Sequence, residues 1–198
     1  MAFSGLTFPN LKLIHGLKKS VILPTVIVSN GNSEFRINRM AFDKYSWSYQ
    51  ARSLINSDKL SLYAFYKSVS GSLNSFKYQD PDFPNFTGQT LTNQATTKWL
   101  FNFPGSIDHP LYNYDASMVI KKNGSIAAWT FSIVASKPII TIAGSIPSDT
   151  ITVESGACYL AARFDGNINW QIEALNTDNT TAVVNFDQVN LVEVFEHA

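Results

Sequence analysis

Cysteine, histidine and charged side chains are all scarce in this sequence. Its 198 residues include one cysteine, three histidines and only 15% charged residues. The lone Cys158 excludes an internal disulfide, and its position in the apolar run 157–160 indicates a packed small side chain rather than a catalytic thiol. The histidines, His15, His109 and His197, are far apart and match no zinc-binding spacing. These shortages argue against thiol, zinc and histidine-based chemistry.

Neither sign of charge predominates. Lys plus Arg and Asp plus Glu number 15 each, so the formal net charge is zero. A nucleic-acid binder that neutralises about 6 to 10 phosphates needs a concentrated basic face, whereas the nearest candidate here is Lys18-Lys19 with Lys12. We therefore expect no sequence-specific contact with nucleic acid. Weak electrostatic repulsion between molecules instead favours association with other protein surfaces.

Long hydrophobic runs are also missing. No apolar stretch reaches the roughly 18 residues that a membrane-spanning helix needs, and Met1 is not followed by the basic and apolar regions of a secretory signal. The sequence therefore predicts no membrane partner. It predicts synthesis and assembly in a cytoplasm.

Aromatic residues in short alternating segments are what the sequence does contain. Phe, Tyr and Trp make up 13% of the chain, and large rings suit pleated surfaces where they pack across neighbouring strands. Tyr45, Trp47 and Tyr49 recur at every second position with Ser46 and Ser48 between them. This alternation predicts a strand with one buried and one wet face.

A second segment alternates in the same way near the C-terminus. Trp170, Ile172 and Ala174 are separated by Gln171 and Glu173, which predicts a half-buried antiparallel strand with the three apolar side chains inside. The remaining predicted strands are 21–28, 35–42, 76–78, 98–103, 139–142, 150–154, 158–164, 181–186 and 189–195. The polar, Thr-rich stretch 89–97 is predicted to be a loop.

One segment has helical spacing. The apolar residues at positions i, i+3, i+4 and i+7 are Leu62, Phe65, Tyr66 and Val69. Ser57 and Asp58 provide an N-terminal cap and a first-turn acid, and Gly71 is suited to end the helix. Such a stripe usually fills a core, so we expect a helix packed on a sheet.

The clearest local signal is a hairpin. The segments 117–122 and 125–131 are joined by Asn123-Gly124, the pair favoured in a two-residue turn because both positions need positive φ. The facing pairs in that register are Ile120 with Ala127 and Met118 with Trp129. One face of the hairpin is therefore expected to be apolar and buried.

These segments together predict an all-β fold. We expect a mainly antiparallel β-sandwich or open barrel with one packed α-helix near residues 58–70, because no alternation of strands and helices appears. The chain 1–198 is expected to form a single domain. A candidate seam lies near 104–113, where Pro104-Gly105 interrupts the strand character.

No motif of a known type of catalytic site is present. The sequence has no Gly-x-Ser-x-Gly elbow and no Gly-rich phosphate loop. Asp80-Pro81-Asp82 spaces two carboxylates as a calcium loop does, but no further oxygen ligands follow, so a turn is preferred. We expect no catalytic, cofactor-binding or metal-binding residues. A glycosidase would need two acids from distant strands about 5 to 10 Å apart.

Several short motifs follow one another in a defined order along the chain. The first of them are Phe8-Pro9, then Gly31, Glu34 and Arg36, then the Tyr-bearing strand 45–49. The most specific block comprises Leu62, Phe65, Tyr66, Gly71, Phe76, Lys77, Tyr78 and Asp80. The last are Arg163-Phe164-Asp165 and Leu191-Val192-Glu193-Val194. This order resembles a domain-of-unknown-function family of gene transfer agents and long-tailed phages, although 89–156 shares little with it.

The resemblance implies a distal tail protein. Such a protein is a virion structural protein that forms a ring, expected to be a homohexamer, and joins the tail tube protein to the baseplate hub protein at the tail tip. It implies assembly in the cytoplasm of a bacterial host, no enzymatic activity and no cofactor. A closing ring needs head-to-tail interfaces, which edge strands can provide. The candidate subunit contacts are Phe8, Pro9, Asn123 and Gly124.

A different class of function stays open beside this one. A carbohydrate-binding β-sandwich would use Trp99, Trp129 or Trp170 as a platform on which a sugar ring stacks. The exposure of the three indoles separates the two hypotheses, because a buried indole offers no face to a sugar.

Overall fold

The computed structural model describes residues 3–9, 16–22, 25–30, 33–38, 44–104, 109–175 and 182–195. Within them the strands are β1 (Phe3–Thr7), β2 (Lys18–Ile22), β3 (Thr25–Asn30), β4 (Ser33–Asn38), β5 (Lys44–Ile55), β6 (Ser75–Gln79), β7 (Asn85–Thr90), β8 (Thr92–Ala95), β9 (Lys98–Leu100), β10 (Val119–Lys122), β11 (Ser125–Ile126), β12 (Thr130–Val134), β13 (Lys137–Thr141), β14 (Ile151–Ala157), β15 (Tyr159–Phe164), β16 (Trp170–Leu175) and β17 (Ala182–Glu193). The helix described is α1 (Asn56–Ser68). The predicted all-β class with one packed helix is confirmed.

The chain divides into two compact units. Unit 1 comprises residues 1–77 and 162–194, and unit 2 comprises 78–161 and 195–198. Unit 2 is thus inserted in the sequence of unit 1, and both β6 and β15 run from one unit into the other. The expectation of one domain over the whole chain stays a prediction.

The candidate seam near 104–113 lies inside unit 2. The Phe103 amide donates a hydrogen bond to the His109 carbonyl at 2.7 Å, and the Leu111 amide donates to the Phe101 carbonyl at 2.8 Å. The two arms of this segment are therefore joined within one unit. The chain passes between units near Lys77 and Ala161 instead.

Unit 1 is built on a seven-stranded sheet in the order β1-β6-β15-β17-β5-β2, with β16 beside β17. β17 pairs with β5 along one side. Along its other side it pairs antiparallel with β16 through residues 182–186 and with β15 through 191–193. β1 joins β6 in parallel at one edge, and β2 joins β5 antiparallel at another. β3 and β4 form a separate two-stranded antiparallel sheet.

The alternating pattern of β5 determines which face enters the core. Trp47 and Tyr49 are buried, whereas Ser46 and Ser48 are only half-buried and Gln50 is exposed. This confirms the expected dry and wet faces. The pattern works because successive side chains of a strand point to opposite sides of the sheet.

Helix α1 packs its predicted stripe against the sheet of unit 1. Leu62 and Val69 are fully buried, and burial of each such side chain stabilises the fold by about 1.5–3 kcal/mol. Asp58 in the first turn and Lys67 in the last are favourable for the helix dipole. The helix ends at Ser68, where Ser70 and Gly71 turn the chain with φ of 57° and 64°.

Unit 2 contains two four-stranded sheets. Their strand orders are β11-β10-β14-β7 and β12-β13-β9-β8, and every pair is antiparallel. Phe101 links their apolar sides, since its ring centroid lies 5.4 Å from that of Phe86 and 6.0 Å from that of Phe131. The fully buried residues of this core include Phe101, Phe103, Leu111, Ile120, Ile140, Ile142, Ile151 and Val153. This arrangement is a sandwich with an aromatic core.

The predicted hairpin is present. Asn123 and Gly124 have φ of 50° and 84°, as a type I′ turn requires. Lys121 faces Ile126, and the Ala127 amide donates to the Ile120 carbonyl at 2.9 Å, so the predicted register is confirmed. The predicted strand 125–131 is nevertheless wrong as a single strand. It ends at Ile126, and β12 then begins in the other sheet of unit 2, because residues 127–129 carry the chain between the sheets.

Two other predictions are corrected. The stretch 89–97 is mostly strand, since β7 extends to Thr90 and β8 covers Thr92–Ala95. It resembles a loop in sequence because most of its side chains are exposed. The separate strands 181–186 and 189–195 form one strand, β17. Phe186 pairs with Ala51 and Val189 pairs with Tyr49, so β17 has one more residue than β5 between these two pairs. This β-bulge breaks the alternation of side chains without ending the strand.

Candidate functional site

The motif residues of the helical block meet in an aromatic cluster in unit 1. Ring centroids are separated by 5.0 Å between Phe65 and Phe76, by 5.2 Å between Phe76 and Phe164, and by 4.9 Å between Tyr66 and Phe164. The Phe65–Phe76 and Tyr66–Phe164 pairs are edge to face, and such a pair adds about 0.5–1.5 kcal/mol beyond its area burial. Residues a hundred positions apart in the sequence are thus brought together, and their role is to hold α1 against the sheet.

Phe8, a candidate subunit contact, packs into the same aromatic cluster. Its ring centroid lies 5.6 Å from that of Phe65, 5.7 Å from Phe76 and 6.1 Å from Phe164. Its amide donates to the Lys77 carbonyl at 2.8 Å. Phe8 and the next residue, Pro9, are half-buried in the single chain. A contact between subunits at these two residues stays a prediction, and part of each is already engaged within its own chain.

The backbone at Gly71 lies directly against the ring of Tyr66. A Cβ at this position would lie 2.8 Å from Tyr66 Oη and 3.0 Å from Tyr66 Cζ. The Gly71 amide donates to the Tyr66 carbonyl at 2.8 Å. Nearby, Arg163 donates from a guanidinium nitrogen to the Ser72 carbonyl at 3.3 Å. Gly71 and Arg163 therefore fix the turn that leads from α1 to β6.

The acidic motif residues do different things. Glu193 is buried at the end of β17, and its Oε2 accepts a hydrogen bond from the Tyr45 amide at 2.9 Å. Asp80, also buried, belongs to unit 2, where its Oδ1 accepts from the Asp82 amide at 3.1 Å. That contact is the turn preferred from the sequence. Asp165 is exposed, and its amide donates to the Asn190 carbonyl.

The remaining motif positions support strands of unit 1. Leu191 is buried in β17, and Val192 and Val194 are half-buried. Glu34 and Arg36 belong to β4. Gly31 lies outside the described residues.

The tip of the Asn123–Gly124 hairpin is tied to a neighbouring loop of unit 2. The Asn123 side-chain amide donates to Asp149 Oδ1 at 2.7 Å, and the Thr150 amide donates back to Asn123 Oδ1 at 2.8 Å. Lys122 Nζ lies 3.1 Å from Asp149 Oδ2 and donates to the Gly144 carbonyl at 2.6 Å. This network makes the tip a rigid surface feature, which suits its candidate role as a contact.

Asp149 has a lowered pKa in this network. The Ile146 amide, the Asn123 side chain and Lys122 all stabilise its ionised carboxylate and hold its pKa below its usual range. A group whose folded pKa is depressed contributes stability above its unfolded pKa, and that contribution is lost as pH falls through the folded pKa.

We therefore expect Asp149→Asn to lower the free energy of unfolding at neutral pH, and we expect its difference from the unmodified protein to shrink in acid. Urea unfolding at several pH values measures this difference. Hydrogen exchange of the Ile146 amide should also become several-fold faster in the variant. Glu154→Gln is the control, because its ion pair with Lys121 is exposed and contributes little. A gap that stays constant with pH would contradict the assignment.

The tryptophans differ in exposure. Trp99 is buried with its Nε1 donating to Ser145 Oγ at 3.1 Å, so it offers no face to a sugar. Trp129 is half-buried and its Nε1 donates to the Met118 carbonyl at 3.2 Å. Trp170 is 39% exposed. Of the three candidates for a stacking platform, Trp170 is the one with an open ring.

Trp170 belongs to an exposed apolar surface that the sequence did not predict. This α1–β16 patch comprises Leu60, Tyr63, Trp170 and Ile172, each exposed by more than a third. The rings of Tyr63 and Trp170 meet edge to face at 5.5 Å, and Trp170 also contacts the buried Phe186 at 6.1 Å. The prediction that Trp170 and Ile172 point inside is wrong for the single chain. The sequence did contain a sign of this surface, since Leu60 and Tyr63 are large apolar residues that lie outside the buried stripe of α1.

The histidine and the cysteine of the described residues are both buried. His109 is buried, with Phe103 and Phe195 rings at 5.5 and 5.7 Å, and Cys158 is a buried thiol. His15 and His197 lie outside the described residues. Within the described ranges no group of three His, Cys, Asp or Glu side chains is placed to hold a metal ion. No helix described is both long and apolar enough to cross a membrane.

No protein-family model matches the chain, and no curated protein matches it either.

Proposed function

We propose that the chain is a structural subunit of a phage tail tip, a distal tail protein whose ring joins the tail tube to the baseplate hub. The observation that carries the proposal is the convergence of the motif residues. Phe65, Tyr66, Gly71, Phe76 and Phe164 lie far apart in sequence and pack into one cluster in unit 1. A motif order that corresponds to one packed framework supports the family resemblance better than scattered surface positions would.

The form of unit 1 suits a protein that works through repeated interfaces. Its seven-stranded sheet leaves β1, β2 and β16 with one neighbour each in the described part of the chain. Open edges carry N–H and C=O groups that can pair with another strand. A ring requires head-to-tail contacts between two different surfaces of each copy. The proposed partners are therefore identical copies, then the tail tube and hub proteins of the same virion.

The proposal is tested by measuring the mass of the assembly that the purified protein forms and by imaging it. Native mass spectrometry should give a sixfold assembly, and negative-stain microscopy should show rings that bind the tube and hub proteins encoded beside it. Mass spectrometry of purified particles should find the chain in the virion. A protein that stays monomeric at its highest soluble concentration and is absent from particles would overturn the proposal.

A second candidate function rests on Trp170. A sugar ring can stack on an exposed indole, and Trp170 is held in place by Tyr63 and Phe186. A glycan array with the unmodified protein and with Trp170→Ala tests this function. Binding that disappears in Trp170→Ala but persists in Trp129→Phe would support it, and an array without any bound glycan would remove it.

A further inference from the structure

The α1–β16 patch is apolar where the sequence pattern calls for burial. β16 alternates apolar and polar residues as a half-buried strand does, yet Ile172 is 48% exposed and Trp170 is 39% exposed. An exposed cluster of a Trp, a Tyr and two aliphatic side chains has the composition of an interface core, where aromatic residues are enriched and charges depleted. The aliphatic members Leu60 and Ile172 favour a protein partner, because a sugar site needs polar side chains beside its stacking ring.

The patch is also preorganised. Trp170 is fixed between Tyr63 and Phe186, and β16 is held by its antiparallel pairing with β17. α1 packs on β5 and β17, so the helix lies over the sheet face. In the described residues β16 pairs with β17 alone, which leaves its outer edge without a strand. Side-chain anchors beside an open strand edge are the two components of recognition by strand addition.

A second open edge in unit 1 has matching properties. β2 is five residues long, pairs with β5 along one side, and lies at the opposite end of the sheet order from β1. Its Val21 is 54% exposed and Ile22 is 41% exposed. β2 therefore offers both a free backbone edge and exposed apolar side chains. A strand of this kind can pair with an open edge such as that of β16.

The edge at β1 is less suitable. Its pairing with β6 shifts register between Phe3 and Thr7, and Gly5 has φ of 69° within that bulge. The Leu6 amide is engaged by Ser4 Oγ at 3.3 Å. A bulge on an edge strand interrupts the ladder that a further strand would need.

We infer that β2 of one copy adds to the outer edge of β16 of the next copy, with Val21 or Ile22 packing on the α1–β16 patch. This inference rests on the proposed ring and names its lateral contact. Each copy gives β2 to one neighbour and receives β2 from the other, so the contact is head to tail and the sheet continues from subunit to subunit. Such a contact closes into a ring when the rotation between copies permits it.

Three lysine variants test the contact. Val21→Lys damages the β2 edge and Ile172→Lys damages the β16 edge, because a buried unpaired charge is strongly unfavourable. Leu73→Lys is the matched control, since Leu73 is 61% exposed and lies in unit 1, in the turn between α1 and β6 and outside both edge strands. Each edge variant should weaken association by about a hundredfold or more, as about 3 kcal/mol implies, and the control should assemble like the unmodified protein. Circular dichroism and urea unfolding establish that all three are folded.

Mixing the two edge variants gives the decisive result. Val21→Lys keeps an intact β16 edge and Ile172→Lys keeps an intact β2 edge, so an equimolar mixture should form one-to-one dimers that cannot grow. Analytical ultracentrifugation distinguishes these dimers from monomers and rings. If both folded variants assemble like the unmodified protein, or if their mixture stays monomeric, the β2–β16 contact is wrong while the ring stands. An unmodified protein that is itself monomeric overturns the ring and the contact together.

Discussion

Gly71→Ala is expected to lower the free energy of unfolding by about 2–5 kcal/mol, from positive-φ strain and overpacking of similar size. The residue has φ of 64°, a region that alanine adopts only with strain. The new Cβ would also lie 2.8 Å from Tyr66 Oη. The Tyr66 ring is half-buried and packs edge to face on the buried Phe164 at 4.9 Å, which limits how far it can move away. Urea unfolding, followed by the fluorescence of the core tryptophans and by circular dichroism, measures the loss.

Gly5→Ala separates the two contributions. Gly5 is in the same unit and has φ of 69°, but a Cβ there would meet nothing within 4 Å. This variant should lose about 1 kcal/mol, the lower end of the cost of a positive φ. Tyr66→Phe removes the nearest atom and should restore part of the stability of Gly71→Ala. Equal losses in Gly71→Ala and Gly5→Ala would show that the close approach to Tyr66 imposes no constraint.

Phe164→Ala is expected to lower the free energy of unfolding by about 3–5 kcal/mol, the usual cost of removing a buried Phe ring. Phe164 is fully buried and contacts the rings of Phe65, Tyr66 and Phe76. The loss includes a cavity at the point where α1 meets the sheet. Amide exchange in α1 should therefore accelerate along with global unfolding, as hydrogen–deuterium exchange would show.

Phe3→Ala is the matched control for the ring deletion. Phe3 is in the same unit but exposed, so its removal should change stability by about 1 kcal/mol or less. If the losses for Phe164→Ala and Phe3→Ala were similar, the aromatic cluster would not be the element that fastens α1. The convergence of motif residues would then carry less of the functional argument.

Local patterns predicted the elements that local chemistry specifies. The hairpin at Asn123-Gly124 follows from the need for positive φ at two adjacent positions. The helix follows from the stripe that includes Leu62 and Val69, and β5 follows from the alternation of Trp47 and Tyr49. In each case neighbouring residues determine the structure. Contacts with the rest of the fold do not change these local preferences.

The predictions that failed had different causes. Residues 89–97 look like a loop because exposed strands are polar. β7 pairs with β14 about sixty residues further along the chain, whereas β8 pairs with the adjacent β9 in an irregular register that gives no clear alternation. The division into two units could not be inferred from composition, because β6 and β15 cross between the units as ordinary strands. For the candidate site, the sequence placed Trp170 and Ile172 inside. Alternation indicates that a face is covered without showing whether the cover belongs to the same chain.

The insertion of unit 2 leaves its two ends joined to each other. Asn85 at the start of β7 pairs with Ala157 at the end of β14, and the Cys158 amide donates to the Pro84 carbonyl at 2.9 Å. The segment 85–157 therefore begins and ends at one paired rung, and we call it the cassette. Another fold whose two termini lie side by side could replace it without any change in the length of β6 or β15. Sequence differences between related proteins are therefore expected to accumulate in this cassette, while the host sheet keeps its sequence.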